Sequence, residues 1–132
     1  MRIMLDINVL ISLFVFPSDK FERLKRSIAK QQIVLCQYVI EETKDVVERK
    51  FPNKVKDLDE FFQSLPYIMS YTPEHIDKTA YPAIRDEADL PILVSAILED
   101  VDILITRDKD FLDMEIEKPE MLDISDYLEQ YS

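Results

Sequence analysis

The 132 residues carry 16 Lys and Arg against 27 Asp and Glu, so the formal net charge is −11, and 47% of the residues are apolar. This length and apolar content predict one globular domain over residues 1–132 and exclude a disordered chain. No apolar run reaches the ~18 residues of a membrane span, so no membrane association is expected. Asp6 and Asn8 interrupt the apolar start, which predicts a buried strand leading into a helix and not a signal peptide.

The residue types behind several common chemistries are scarce. The chain has one cysteine, Cys36, one histidine, His75, and no glycine. A single cysteine excludes an internal disulfide and a multi-cysteine zinc site, and it favours the reducing cytoplasm. The absence of glycine excludes the Gly-rich phosphate loops of Walker-type ATPases and Rossmann proteins. Catalysis is therefore expected to depend on carboxylates, hydroxyls and amines.

The acidic residues are concentrated in the second half of the chain. Residues 1–66 hold 11 basic and 10 acidic side chains, whereas residues 67–132 hold 5 and 17. This balance argues against non-specific binding of a polyanion, which requires a basic surface. One predicted helix carries a basic group that either contacts an RNA backbone or forms a solvated face. Its five members are Lys20, Arg23, Lys25, Arg26 and Lys30.

Apolar runs and helical spacing alternate along the chain. Short strands are predicted at residues 3–5, 33–36, 67–71, 102–106 and 121–124. Helices are predicted at residues 18–30, 38–50, 55–65 and 89–99, with a last helix near the C-terminus. Short apolar strands separated by helices predict an α/β fold with a parallel sheet that is buried on both faces.

Three helix-start signals are predicted along the chain. Asp19 and Glu22 are expected to form a capping box. The pair at residues 72–73, Thr-Pro, is a helix-start signal, and Ser125 is expected to cap the last helix.

Two aspartates lie at the carboxyl ends of predicted strands. Asp6 comes after the strand at residues 3–5, and Asp108 comes after the strand at residues 102–106. In an open α/β sheet, ligands bind beyond the carboxyl ends of the strands. Both carboxylates are therefore candidates for a functional site.

Helical geometry adds two further carboxylates. At about 100° per residue, Glu42 flanks the apolar face of the helix at residues 38–50, whereas Glu41 points away from that face. On the helix at residues 89–99, Asp89 lies on the packing side at the N-terminus. Taken singly, Asp89 is also explained as a helix cap and Glu42 as a partner in a salt bridge.

Four carboxylates in one cleft would repel each other unless a cation offset their charge. The four are Asp6, Glu42, Asp89 and Asp108. Mg²⁺ and Mn²⁺ prefer such oxygen ligands and leave positions open for phosphate. A site of this kind activates water and stabilises the charge that develops during displacement at phosphorus. The four acids together therefore predict a catalytic metal site for Mg²⁺ or Mn²⁺.

The acidic motifs resemble those of the PIN-domain nucleases. The similarity lies in residues 5–12, 39–42, 86–91 and 105–111, in this order. It implies a three-layer α/β/α sandwich around a central, mainly parallel sheet. It also implies metal-dependent endonucleolytic hydrolysis of RNA, often by the toxin of a toxin-antitoxin pair, with an antitoxin protein as partner.

The resemblance also assigns residue roles. It places Asp6, Glu42, Asp89 and Asp108 at the metal-ligand positions and Asn8 and Thr106 at supporting polar positions. Asp86 and Asp110 are additional acids near the expected site.

Two other functional interpretations stay open. Ile7 stands where the family more often has a small hydroxyl residue, so the chain is alternatively a catalytically silent PIN-like binding module. A receiver-type phosphoacceptor domain also has a parallel sheet with acids at its strand ends. That class requires adjacent acids after the first strand, and here Asp6 stands alone.

Several aromatic residues fall within a short stretch of the sequence. Phe61, Phe62, Tyr67 and Tyr71 either pack in the core or form an apolar patch for a homodimer or an inhibitory protein helix.

Overall fold

A parallel sheet forms the centre of the fold. The computed structural model describes residues 1–16 and 18–131, and within them five strands form one sheet in the order β3-β2-β1-β4-β5. The strands are β1 (Arg2–Leu5), β2 (Gln32–Cys36), β3 (Tyr67–Ser70), β4 (Ile103–Ile105) and β5 (Glu120–Leu122). Each neighbouring pair is parallel, and Ile3 of β1 aligns with Ile33 of β2 and with Ile103 of β4. The predicted parallel sheet is confirmed.

The strand order changes direction next to β1. The chain passes from β1 to β2 and β3 on one side and then returns to β4 and β5 on the other. The carboxyl ends of β1 and β4 therefore flank a topological switch point, where open α/β sheets bind ligands. This order differs from the 2-1-3-4-5 order of receiver-type domains, which argues against the phosphoacceptor alternative.

Helices cover the sheet. They are α1 (Ile7–Val15), α2 (Asp19–Ile28), α3 (Gln37–Lys50), α4 (Val55–Ser64), α5 (Leu90–Leu98), α6 (Lys109–Leu112) and α7 (Ile124–Tyr131). Right-handed crossovers that change direction along a sheet place helices on both of its faces. Ile3, Met4 and Leu5 of the central strand are fully buried. The α/β fold class predicted from the sequence is confirmed, and no described helix is long and apolar enough to cross a membrane.

The start of α2 corrects the predicted capping box. Ser18, and not Asp19, is the N-cap, because its hydroxyl oxygen accepts a hydrogen bond of 3.1 Å from the Phe21 amide. Asp19 and Glu22 lie in the first helical turn. Their charges there interact favourably with the helix dipole.

The helix-start signal at residues 72–73 is wrong. The chain there enters no α-helix, and the next helical element described is a short 3-10 turn at Lys78–Ala80. The Thr72 hydroxyl lies 3.2 Å from the Cys36 sulfur, at the end of β2. A tertiary contact thus uses the side chain that could have capped a helix.

The predicted cap of the last helix is also wrong. β5 ends at Leu122, and the carboxylate of Asp123 accepts a 2.8 Å hydrogen bond from the Asp126 amide at the start of α7. Ser125 instead contacts the Lys20 ammonium group, with 2.5 Å between Oγ and Nζ. Ile124, predicted at the end of a strand, is the first residue of the helix.

The aromatic residues near β3 are partly buried. Phe61, Phe62 and Tyr67 are half-buried, and successive ring centroids lie about 6 Å apart, at 5.9 and 6.0 Å. Tyr71 is 70% exposed, and Ile68 of the edge strand β3 is 38% exposed. Core packing thus accounts for most of the cluster, and the homodimer stays a prediction.

Candidate active site

Asp6 lies at the carboxyl end of β1 and is the N-cap of α1. It is only 5% exposed. Its Oδ1 accepts a 2.7 Å hydrogen bond from the Ile7 amide, and its Oδ2 accepts a 2.8 Å bond from the Thr106 hydroxyl. Burial raises the pKa of Asp6, these two hydrogen bonds lower it, and the charge of Asp108 raises it again. The carboxylate is thus held in one orientation at a considerable desolvation cost.

Thr106 connects Asp6 to Asp108. It follows β4 and is fully buried. Its hydroxyl donates to Asp6 and accepts a 3.0 Å hydrogen bond from the Asp108 amide. Asp108 is the N-cap of α6, and its Oδ1 accepts a 2.9 Å bond from the Asp110 amide. A single hydroxyl therefore sets the relative position of the acids that follow β1 and β4.

Asp89 is the most perturbed acid of the site. It immediately precedes α5, and its side chain makes no cap hydrogen bond to that helix. Burial, a hydrogen bond with Asp108, and the charges of Asp108, Asp6 and Asp86 raise the pKa of Asp89 to about 7. Its Oδ2 is buried and has no hydrogen-bond partner among the described residues. Asp89 and Asp108 thus interact strongly, an arrangement of like charges that a shared proton or a bound cation stabilises.

The helix α3 presents Glu42 toward the same site. Glu42 is half-buried and Glu41 is exposed, so the prediction from helical spacing is confirmed. Tyr38, one turn earlier, has its pKa raised by burial and then by the charges of Glu42, Asp89, Asp86 and Asp6. Its phenol therefore faces the acidic cluster. Sequence reasoning missed Tyr38, although its spacing of four residues from Glu42 was a usable signal.

Two outer acids extend the cluster. Carboxylate oxygens of Asp86, Asp89 and Asp110 all lie within 4.8 Å of one another. Asp110 forms an ion pair of 3.2 Å with the exposed Arg85. The sequence placed Asp86 and Asp110 near the site only as additional acids, whereas the structure brings a carboxylate oxygen of each within 4.8 Å of Asp89.

Asn8 has a less direct position. It lies exposed on the first turn of α1, and its backbone carbonyl accepts a 2.8 Å hydrogen bond from the Ser12 hydroxyl. Among the described residues, no hydrogen bond joins its amide to a carboxylate of the site. Its supporting role stays a prediction.

The structure separates the five-residue basic group. Lys20 lies beside the loop after β4, in a groove with Arg107 and Lys109. Lys25 forms an ion pair of 3.2 Å with Glu22. The other three members line a different groove, next to Tyr131. They are Arg23, Arg26 and Lys30.

The donor set fits a divalent cation that prefers oxygen ligands. Asp6, Asp89 and Asp108 form no ion pair with a described cation, and the buried Oδ2 of Asp89 has an open acceptor position. Mutual repulsion contributes to the raised pKa values of Asp6 and Asp89. A cation such as Mg²⁺ or Mn²⁺ would remove this repulsion and use the open acceptor.

A family comparison agrees with this arrangement. Residues 2–110 match the model of the PIN domain. This chain belongs to the PIN-domain family. The resemblance stated from the four acidic motifs is therefore confirmed.

Among solved structures, two of those similar in fold are the following. One is VapBC2 from Rickettsia felis, bound to a DNA fragment from its promoter, with a TM-score of 0.66, 18% identity, and coverage of 93% of this chain and 98% of the matched chain. The other is VapC20 from Mycobacterium tuberculosis, a sarcin-ricin loop cleaving toxin, with a TM-score of 0.62, 12% identity, and coverage of 87% and 97%. No curated protein sequence matches the chain at a significant level. At these identities the likeness shows a shared fold.

Proposed function

We propose that this PIN-domain protein is a metal-dependent endoribonuclease that hydrolyses RNA phosphodiester bonds. One observation carries the proposal. Carboxylates from the end of β1, the end of β4 and the start of α5 meet at the switch point of the sheet, and a buried oxygen of Asp89 has no described partner. Such a cluster is costly for stability and is expected where it serves a function.

Each acid has a role in this proposal. Asp6, Asp89 and Asp108 would hold the cation, and Glu42, Asp86 and Asp110 are the neighbouring acids that would add negative charge to the site. A bound Mg²⁺ or Mn²⁺ would activate a water molecule and stabilise the charge that develops at phosphorus.

The neighbouring residues position these groups. Thr106 fixes the orientation of Asp6 and the position of the Asp108 amide. Tyr38 stays protonated at neutral pH because burial and the nearby acids raise the pKa of its phenol. It therefore offers a hydrogen-bond donor within an otherwise acidic site.

A biological role follows from the same proposal. Both similar structures are of VapBC-type proteins, and one of them is a toxin that cleaves the sarcin-ricin loop. We propose that this chain is the toxin of a toxin-antitoxin pair, that it acts in the cytoplasm, and that an antitoxin protein is its partner. Self-association into a homodimer is part of the proposal and is tested by the molar mass in solution.

Cleavage of a mixed RNA pool tests the reaction. The purified chain is incubated with single-stranded and structured RNAs in Mn²⁺, in Mg²⁺ or with a chelator. We expect cleavage only with metal, and a loss of about 100-fold or more in Asp89→Asn, because the amide removes a charged ligand. Asp59→Asn is the matched control, since Asp59 is exposed on α4, a helix that contributes no acid to the cluster.

The alternatives give different results. Full activity in both Asp6→Asn and Asp89→Asn would contradict the proposed site. Metal binding without cleavage of any RNA points to a narrower target than the pool contains. Absence of both metal binding and cleavage favours the silent binding module, for which Ile7 beside Asp6 is the supporting feature.

A further inference from the structure

A cationic groove lies beside the acidic cluster. It has a volume of about 380 Å³ and is formed by the start of α2, the segment around α6 and the start of α7. Lys20, Arg107 and Lys109 supply its positive charges, and one acid, Asp123, also lines it. The three cations come from two separate parts of the chain, so the groove exists only in the folded protein.

The groove adjoins the catalytic acids through the chain itself. Arg107 and Lys109 are the immediate neighbours of Asp108, whose amide is bonded to Thr106. The Arg107 guanidinium also donates a 3.3 Å hydrogen bond to the hydroxyl of Ser12 in α1. A phosphate in the groove would therefore lie within a few nucleotides of a phosphate at the acids.

Two of the three cations in the groove contact hydroxyl groups. Lys20 contacts Ser125 and Arg107 contacts Ser12, and neither forms an ion pair within residues 1–16 and 18–131. Asp123 uses one carboxylate oxygen to accept a hydrogen bond from the Asp126 amide. The positive charge of the groove thus remains available for an anion, and the side chains are already oriented to receive it.

A second basic groove lies on the side of the sheet where the strands begin. It has a volume of about 220 Å³ and contains Arg23, Arg26 and Lys30. Its lining residue Gln31 accepts a 3.0 Å hydrogen bond from the N-terminal amine, before β1 begins. Its lining residue Tyr131 donates to Glu120, the first residue of β5. This groove therefore lies near the amino ends of the strands, whereas Asp6 and Asp108 follow the carboxyl ends of β1 and β4.

We propose that the groove of Lys20, Arg107 and Lys109 anchors the phosphodiester backbone of the RNA strand next to the bond that is cut. This inference rests on the proposed ribonuclease function. A chain with a net charge of −11 repels RNA at long range, so binding requires local cations close to the site. The planar guanidinium of Arg107 is suited to a phosphate, and the two lysines add positive charge along the groove.

RNA binding by two charge-matched double variants tests the proposal. Lys20→Ala with Lys109→Ala removes two charges from the groove, and Arg26→Ala with Lys30→Ala removes two from the second basic groove. Both are made in the Asp89→Asn background, so that the probe, a short fluorescein-labelled single-stranded RNA, stays intact. Fluorescence anisotropy gives Kd over a range of NaCl concentrations.

We expect a specific loss of RNA affinity in the first pair, Lys20→Ala with Lys109→Ala. Its Kd should rise about tenfold, and the slope of log affinity against log salt should fall by about 1.4, which is about 0.7 for each lost phosphate contact on a single strand. The second pair should change Kd by less than about twofold. Lys20→Arg with Lys109→Arg should restore binding, and thermal unfolding of every variant separates a folding defect from a binding defect.

The outcomes separate this inference from the proposed function. Equal losses in both pairs, an unchanged first pair, or no binding by the parent protein at low salt would each overturn the anchoring groove. If the protein with Asp89 intact cleaves RNA while the two double variants have the same Kd, the nuclease assignment is supported and the anchoring role of the groove is wrong. If RNA binds through the groove and no metal condition produces cleavage, the groove stands and the nuclease assignment fails.

Discussion

Carboxylates at the two ends of the parallel strands have pKa values shifted in opposite directions. We call the sides of the sheet where the strands end and begin the carboxyl edge and the amino edge. At the carboxyl edge, Asp6 and Asp89 lie near other acids, and their pKa values are raised. At the amino edge, Asp102 accepts a 2.8 Å hydrogen bond from the Arg2 amide and lies 3.4 Å from Lys118. The pKa of Asp102 is lowered, first by the hydrogen bond from Arg2 and then by Lys118.

The same strand contributes to both edges. Asp102 immediately precedes β4 and Asp108 follows it, separated by only a few buried residues. At one end, paired charges join the strand to its neighbours and stabilise the fold. At the other, unpaired acids reduce stability and create a place for a cation. Groups that stabilise the fold therefore lie where β4 begins, and groups proposed to act in function lie beyond its end.

Removal of the Thr106 hydroxyl should give the largest effect on activity among changes that leave every acid in place. Thr106→Val keeps the shape of the buried side chain but removes the 2.8 Å hydrogen bond to Asp6. We expect RNA cleavage to fall by about 10 to 100-fold, because a metal ligand loses its orienting partner. Thr106→Ser should recover most of the activity. Equal cleavage rates for the valine variant and the parent protein would show that Asp6 needs no such support.

Metal binding should raise the Tm of the protein through the acids at the carboxyl edge. At a hundredfold excess of Mn²⁺ over Kd, stabilisation of about 2.7 kcal/mol is expected, or roughly 8 °C in Tm. Asp89→Asn should lose most of this shift, and Asp102→Asn at the amino edge should retain it. The measurement is Tm against Mn²⁺ concentration. A shift of the same size in both variants would locate the metal outside the acidic cluster.

The raised pKa of Asp89 predicts a pH dependence in the presence of a chelator. With an ordinary value of 3.8 in the unfolded chain and about 7 in the folded protein, Asp89 holds its proton more tightly when folded. The unfolding free energy should therefore decrease as the pH rises between these values, with no further loss above them. We expect Asp89→Asn to exceed the parent protein in Tm by a few degrees at about pH 8.

The same comparison has a clear control. At about pH 4 both proteins carry a neutral group at position 89 in the folded state, so their Tm values should converge. A constant difference across the pH range would show that Asp89 does not titrate in this way.

Asp102→Asn should show the opposite pH dependence and the smallest effect. The lowered pKa of Asp102 stabilises the fold above its ordinary value of 3.8, and this contribution is lost as the pH falls through the folded value. Because the side chain is 39% exposed, we expect a Tm decrease of only about 1 to 3 °C at neutral pH. The decrease should shrink toward about pH 3. A variant less stable at acidic than at neutral pH, relative to the parent, would contradict this assignment.

Local sequence patterns predicted much of the architecture. Apolar runs located the strands, and helical periodicity distinguished Glu42 from Glu41 because the direction of a side chain on a helix depends on spacing alone. Two of the three wrong cap assignments arose where a side chain had a distant partner. Thr72 looked like a helix start but contacts Cys36, and Ser125 looked like a cap but contacts Lys20.

The sequence by itself determined the alternation of strands and helices, the acids at the strand ends and the family to which they belong. Only the tertiary structure decided which of these groups meet. Thr106 and Asp6 are 100 positions apart, and they come together because β1 and β4 are neighbours in the sheet. Lys20 lies in the first turn of α2, and the packing of this helix against α7 places it beside Arg107, whereas Arg26 and Lys30 line a different groove. Periodicity fixes the face on which a residue lies, whereas the order and direction of the strands determine what lies opposite that face.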